Sequence, residues 1–258
     1  MRFIDSHCHL DFDELTGNLT ELMSDATASG ITQFVVPGIS LAQSKRLLAF
    51  GKKHPSCHIA FGLHPYFLTE QSREEMAQLA DLAEQHRGKL VAIGECGIDS
   101  QCGDLALQQA LFKSHITLAN RLGLPMIVHH RQSHHLIAQA FKQISPQFGG
   151  VIHAFSGSLQ QAEYYVKLGF KLGLGGTITY PRAKKTREVV SRLPLSSFVL
   201  ETDAPSMPVL GCQGQINVPV RLIDIFAQVC QLRSEPETEV AQTLYATTCR
   251  VFNLTSLG

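Results

Sequence analysis

The 258-residue chain is 44% hydrophobic and 17% charged, a composition that suits one enzyme-sized globular domain over residues 1–258 and excludes a disordered tail. Lys plus Arg and Asp plus Glu both number 22, which excludes binding to nucleic acid or anionic membrane by bulk charge; an anionic substrate must be met by local groups. Seven cysteines with no CxxC pair fit a reducing compartment better than a disulfide framework. No apolar run approaches the roughly 20 residues of a membrane helix, and Phe3-Ile4-Asp5 opens a buried strand where a leader's apolar region would stand. A cytoplasmic monomer with no membrane and no obligatory protein partner is expected.

Short runs rich in Val and Ile recur along the chain, each followed by a turn and a segment of helical periodicity. They span residues 2–7, 31–36, 58–63, 90–95, 125–129, 150–153, 170–174 and 197–203. Between them, apolar spacing predicts helices around Leu41-Leu47-Leu48, Met76-Leu79-Leu82-Ala83, Leu107-Leu111-Ile116-Leu118 and Ala162-Tyr165-Val166. Eight strands alternating with helices predict an α/β fold, a (β/α)₈ TIM barrel. An open doubly wound sheet would carry a Gly-rich nucleotide turn after its first strand, where this chain has His7 and His9. The irregular stretch 204–217 follows the eighth strand and is expected as a rim loop. Beyond it, 219–232 reads as a helix, and Ser234 with Glu237 reads as a capping box for a last helix through Tyr245.

Metal-competent side chains fall at the carboxyl ends of these strands: His7 and His9 after the first, Glu95 after the fourth, His129 after the fifth, His153 after the sixth and Asp203 after the eighth. Strand alternation sends His7 and His9 to one side and Cys8 to the other. A barrel would bring all six groups to one mouth, and imidazole with carboxylate suits Zn²⁺, Mg²⁺ or Mn²⁺ with a position left for water. Six ligands exceed one tetrahedral ion. The expectation is a binuclear centre in which His7, His9 and Asp203 hold one ion, His129 and His153 hold the other, and Glu95 joins them. Alternation turns His130 away from this centre.

The segments Phe3-Ile4-Asp5-Ser6-His7-Cys8-His9, Gly62-Leu63-His64-Pro65, Gly94-Glu95-Cys96-Gly97-Ile98-Asp99, His153-Ala154-Phe155-Ser156-Gly157 and Glu201-Thr202-Asp203-Ala204-Pro205 resemble the TatD family of metal-dependent hydrolases and deoxyribonucleases. Residues 157–163 and 175–182 resemble its YjjV-like branch. The likeness implies an amidohydrolase-like barrel with a metal site at its carboxyl face, and it places His7, His9, Glu95, His129, His153 and Asp203 at the metal positions. Cys96, His130 and the segment before Asn217 depart from the family pattern and bear on substrate fit rather than on the ligands.

Asp5 lies two residues before His7 and Glu201 two before Asp203, so both are expected one layer below the metals, either accepting hydrogen bonds from ligand imidazoles or making interior structural hydrogen bonds. His64, Arg131, Ser156, Tyr180 and Arg182 follow strand ends and are candidates for substrate contact, whereas Lys184, Lys185 and Arg187 read as a solvated helix face. His54, His86, His115, His134 and His135 read as bystanders. The expected function is hydrolysis of a phosphodiester, in DNA or a small molecule, by a metal-activated hydroxide, with 3′-5′ exonuclease character; Asp203 is the proton acceptor and Glu95 its catalytic companion. Two alternatives stay open: an amidohydrolase-type enzyme acting on a small ester, lactone or amide, and a non-catalytic metal-binding scaffold.

Overall fold

A computed structural model describes residues 1–255. In chain order the regular elements are β1 (Phe3–Asp5), α1 (Asp13–Thr16), α2 (Leu19–Ala28), β2 (Ile31–Pro37), α3 (Leu41–Lys53), β3 (Cys57–Phe61), α4 (Ser72–Gln85), β4 (Leu90–Asp99), α5 (Leu105–Leu122), β5 (Met126–Arg131), α6 (His134–Gln143), β6 (Gly150–Ile152), α7 (Leu159–Lys167), β7 (Phe170–Leu174), α8 (Lys184–Arg192), β8 (Phe198–Leu200), α9 (Leu222–Gln231) and α10 (Glu237–Phe252). All eight strands lie in one sheet in the order β1 to β8, and the Ser6 N–H donates to the Leu200 carbonyl at 2.9 Å, linking the last strand to the chain beyond the first. This is the (β/α)₈ barrel fold. Parallel strands covered on both faces need unbroken apolar runs, and Phe34-Val35-Val36, Ile127-Val128 and Phe198-Val199-Leu200 are all buried.

The chain divides into two compact units, one of residues 1–36 with the segment from Ala154 onward and one of Pro37–His153. In the first, β1 pairs with β2 and β7 with β8. Its α7 starts on a full capping box, in which the Ser158 side chain accepts from the Gln161 N–H and the Gln161 side chain accepts from the Ser158 N–H. The capping box expected at Ser234 and Glu237 does not form. Pro236 occupies the N-cap with φ −57° and ψ 142°, no side chain caps the helix, and Glu237 is already its first residue; Glu235 instead pairs with Arg233. The helix also runs seven residues past Tyr245, to Phe252.

In the second unit β3, β4, β5 and β6 are neighbours. Strand β4 extends to Asp99, four residues further than the apolar run predicts, because pairing resumes with β5 after an irregularity between Ile93 and Cys96. Gly97 makes that pairing possible: it sits at φ +154°, and a Cβ there would meet the His129 carbonyl oxygen at 2.0 Å. Helix α5 is fixed at both ends, by Asp104 accepting from the Ala106 and Leu107 N–H groups and by Gly123 at φ 66°.

Gly97→Ala is therefore expected to separate β4 from β5 and to cost more than about 2 kcal/mol of stability. Gly88→Ala, where a Cβ meets nothing within 4 Å, should stay within about 0.5 kcal/mol of the parent. Paired denaturant titrations read the difference; equal midpoints would contradict this account of the strand pair.

Candidate metal centre

Beyond β1 and β8 the first unit carries three of the expected ligands, and it brings them together. The Nε2 atoms of His7 and His9 lie 3.2 Å apart, and Asp203 Oδ1 lies 3.5 Å from His7 Nε2 and 3.6 Å from His9 Nε2. The His7 side chain is fully buried, that of His9 is 7% exposed, and that of Asp203 is 13% exposed, the most open of the three. The His9 ring stacks on Phe12 with centroids 4.6 Å apart. Cys8 is buried on the opposite side, its N–H bonded to Val35, as alternation predicts.

The backbone under this set is held by buried polar side chains. Asp5 accepts from the His7 N–H at 3.2 Å, the Thr202 N–H at 3.0 Å and the Thr202 hydroxyl at 2.6 Å. Its partners are thus main chain and a hydroxyl, the interior structural bonds rather than a ligand imidazole of the two readings the sequence leaves open: a carboxylate two residues below His7 reaches the turn between Thr202 and Asp203 before it reaches a ring nitrogen. Burial pushes the Asp5 carboxyl up to about 7, against the lowering effect of these three bonds. Glu201 accepts from the Ala154 N–H, which steadies Ala154 at φ 46°. Gly173 makes room for that carboxylate, since a Cβ there would lie 2.2 Å from Glu201 Oε2. Asp203 is itself at φ 59°, a conformation that Asp tolerates better than most residues; its N–H donates to the His7 carbonyl at 2.9 Å. Asn217 anchors the following loop by donating to the carbonyls of Thr202 at 2.9 Å and Ser206 at 2.7 Å.

The second unit gathers a second set. His129 sits between two carboxylates, with Nδ1 3.1 Å from Glu95 Oε1 and Nε2 3.1 Å from Asp99 Oδ2. His64 Nε2 lies 3.3 Å from the same Glu95 oxygen, so that His64, Glu95 and His129 offer ligand atoms to one point. Burial lowers the affinity of His129 for a proton, but Asp99 and Glu95 outweigh it and hold its pKa above the ordinary value. Burial likewise raises Asp99, and the bonds from His129 and the Gln101 N–H overcome this to leave its pKa low. His153 is buried just past β6, its N–H bonded to Val128 at 2.9 Å.

Asp99 is the residue that the sequence reading missed. Glu95, Gly97 and Asp99 alternate on one strand face, and the register sets Gly97 opposite His129 and Asp99 opposite Arg131; the signal was present once β4 is drawn to its full length. His64 joins Glu95 and His129 rather than standing apart from the ligands. His130 faces away, buried and packed on His134 with centroids 4.3 Å apart. Of the proposed substrate contacts, Arg131 donates from Nη1 to the Tyr66 hydroxyl and Ser156 is exposed. Tyr180 donates to the Pro208 carbonyl at 2.9 Å, and Arg182 lies over its ring at 4.7 Å, so this pair is tied to the loop after β8. Lys184 and Lys185 are exposed at the start of α8.

Imidazole nitrogens and carboxylate oxygens packed this closely, with so few hydrogens among them, are donors suited to a divalent cation such as Zn²⁺ or Mn²⁺. Comparison with known proteins agrees in kind. Residues 4–253 match the family described as TatD related DNase. The chain is 44% identical over 255 residues to the Escherichia coli K12 protein named "Uncharacterized metal-dependent hydrolase YjjV", covering 98% of each chain. It superposes on the crystal structure of that E. coli TatD homologue with a TM-score of 0.94, covering 98% of this chain and 99% of that one. It is 30% identical over 243 residues to the Erwinia tasmaniensis "3'-5' ssDNA/RNA exonuclease TatD", covering 91% of this chain and 93% of the other. An amidohydrolase from Saccharomyces cerevisiae, 15% identical with a TM-score of 0.85 over 98% of this chain and 100% of that one, shares the fold.

His115, a bystander by sequence, fixes the segment that carries His64. Its Nδ1 donates to the Leu111 carbonyl at 2.7 Å and its Nε2 accepts from the Leu63 N–H at 3.1 Å, a bonding pattern open only to the neutral ring. Burial pushes its pKa down to about 4 from 6.5. The unfolded chain binds this proton more readily, so the stability it contributes is whole above pH 6.5 and is lost as pH falls toward 4, about 3 kcal/mol in all. His115→Gln should flatten the fall of Tm between pH 6.5 and 4; an unchanged slope would show that His115 does not titrate with folding.

Proposed function

The chain belongs to the TatD-related DNase family of metal-dependent hydrolases, and from that membership we propose that it hydrolyses phosphodiester bonds in nucleic acid, working from a 3′ end with divalent metal ions. The observation that carries this reading is the convergence of His7, His9 and Asp203 within 3.6 Å of one another. The name of the Erwinia relative supplies the substrate class. We assign His7, His9 and Asp203 to one ion and Glu95, His129 and His153 to a second. His64 and Asp99 support that second set, through Glu95 and His129 respectively.

These donors would hold divalent ions, which when bound would lower the pKa of water and offset charge on the phosphate. Asp203 is the acid that solvent reaches, so an attacking water can pass its proton to the Asp203 carboxylate, which returns one to the leaving oxygen. Glu95, buried among His64 and His129, holds both rings in place. Asp99 fixes the orientation of the His129 ring. Arg131 offers a forked cation to phosphate oxygens. Ser156, Tyr180 and Arg182 are assigned to the flanking substrate on the loops beyond β6 and β7. Asp5 and Glu201 act through the backbone, holding the turns that carry Asp203 and follow His153.

Asp203→Asn keeps a residue that tolerates φ 59°, so its Tm should match the parent while turnover falls about 10²- to 10⁴-fold. Metal-reconstituted enzyme is to be assayed in parallel on single-stranded DNA with a free 3′ end, on RNA, on a nitrophenyl phosphodiester and on a lactone panel. Hydrolysis of the nucleic acids, lost on chelation and in the variant, is the expected result. Hydrolysis confined to lactones, or full activity in the variant, would overturn the assignment.

A further inference from the structure

Next to His64 and His129 stand two side chains that metal chemistry does not require. Tyr66 and Phe67 occupy the 3₁₀ turn Pro65–Phe67, immediately after His64, and are 49% and 51% exposed. Among the described residues no other adjacent pair of large hydrophobic side chains is so open, and exposed aromatic area of this kind favours a partner with a flat face. The Tyr66 ring is held in place. Its backbone N–H donates to His64 Nδ1 at 3.1 Å, and its hydroxyl accepts from Arg131. Its centroid lies 5.2 Å from that of His64 and 6.1 Å from that of His129, and Phe67 lies 5.8 Å from His64. Two aromatic rings thus stand beside the second ligand set, one of them bonded to a guanidinium.

A phosphodiester reacting at that set carries a nucleoside on one side. We propose that Tyr66 and Phe67 form a stacking surface for the nucleobase next to the scissile phosphate, with Arg131 placing the hydroxyl edge of Tyr66 and meeting the backbone charge. The inference rests on the phosphodiesterase reading above and adds what it lacks, a reason for nucleic acid over other phosphodiesters. Every base has a π-face, so the surface accepts all of them. A base stacked on protein must first leave its neighbours, so a single-stranded end is favoured over a duplex.

The test compares two oligodeoxynucleotides that differ only in the 3′-terminal residue, one with a base and one abasic. Wild-type enzyme is expected to show a KM about tenfold lower for the base-bearing strand. Tyr66→Ala and Phe67→Ala should bring the ratio of the two KM values toward one, with Phe67→Ala, which leaves the Arg131 contact intact, changing kcat by less than about twofold, whereas Tyr66→Phe should keep most of the base dependence. Variants that harm both substrates equally, or neither, overturn the proposal. If wild-type cleaves neither strand the phosphodiesterase reading fails by itself, and a 3′-terminal 2-aminopurine strand then decides on the stacking surface: quenching that Tyr66→Ala removes supports it, and an unquenched probe overturns it.

Discussion

Two imidazole nitrogens 3.2 Å apart with a carboxylate oxygen within 3.6 Å of both set the condition to which the surrounding structure answers. Ring nitrogens and a carboxylate oxygen brought so close in a buried place present donor atoms to one point, where a cation can be shared among them. Strand alternation delivers His7 and His9 to the same side. Asp203 arrives from the end of β8 only because its backbone adopts φ 59°, a conformation held by its N–H bond to His7.

The polar residues behind the ligands therefore serve the main chain. Asp5 binds three donors at the His7 and Thr202 positions, and Asn217 closes the turn after Asp203 from the far end of the loop. In the other unit Asp99 and Glu95 grip the two nitrogens of one ring, and His115 secures the backbone ahead of His64. Each half of the ligand set is thus fixed by hydrogen bonds within its own unit, which is how ligands far apart in sequence acquire defined positions before any ion binds.

Much of this was legible in the amino-acid order. Eight Val- and Ile-rich runs marked the strands because a parallel sheet covered on both faces leaves no room for polar interruption, and the histidines and acids just past those runs stood out against them. What escaped notice follows from local geometry. Asp99 was hidden because the apolar run stops at Glu95, although Gly97 lets the strand pair onward beside His129. The Ser234 capping box failed because Pro236 can end a turn and begin a helix without a side-chain cap. The spacing of Asp5 from His7 indicated the correct face, but its partner depended on where Thr202 lies in space. Tyr66 and Phe67 carried no signal in the pattern, since exposure is decided by the turn on which they sit.

The most direct measurement is the metal content of the full chain after equilibration with Zn²⁺ or Mn²⁺ and removal of free ion, read by elemental mass spectrometry beside His7→Ala and His129→Ala. The account predicts that the parent retains two ions per chain and that each variant retains fewer. A parent that retains none, or variants that bind as the parent does, would contradict it.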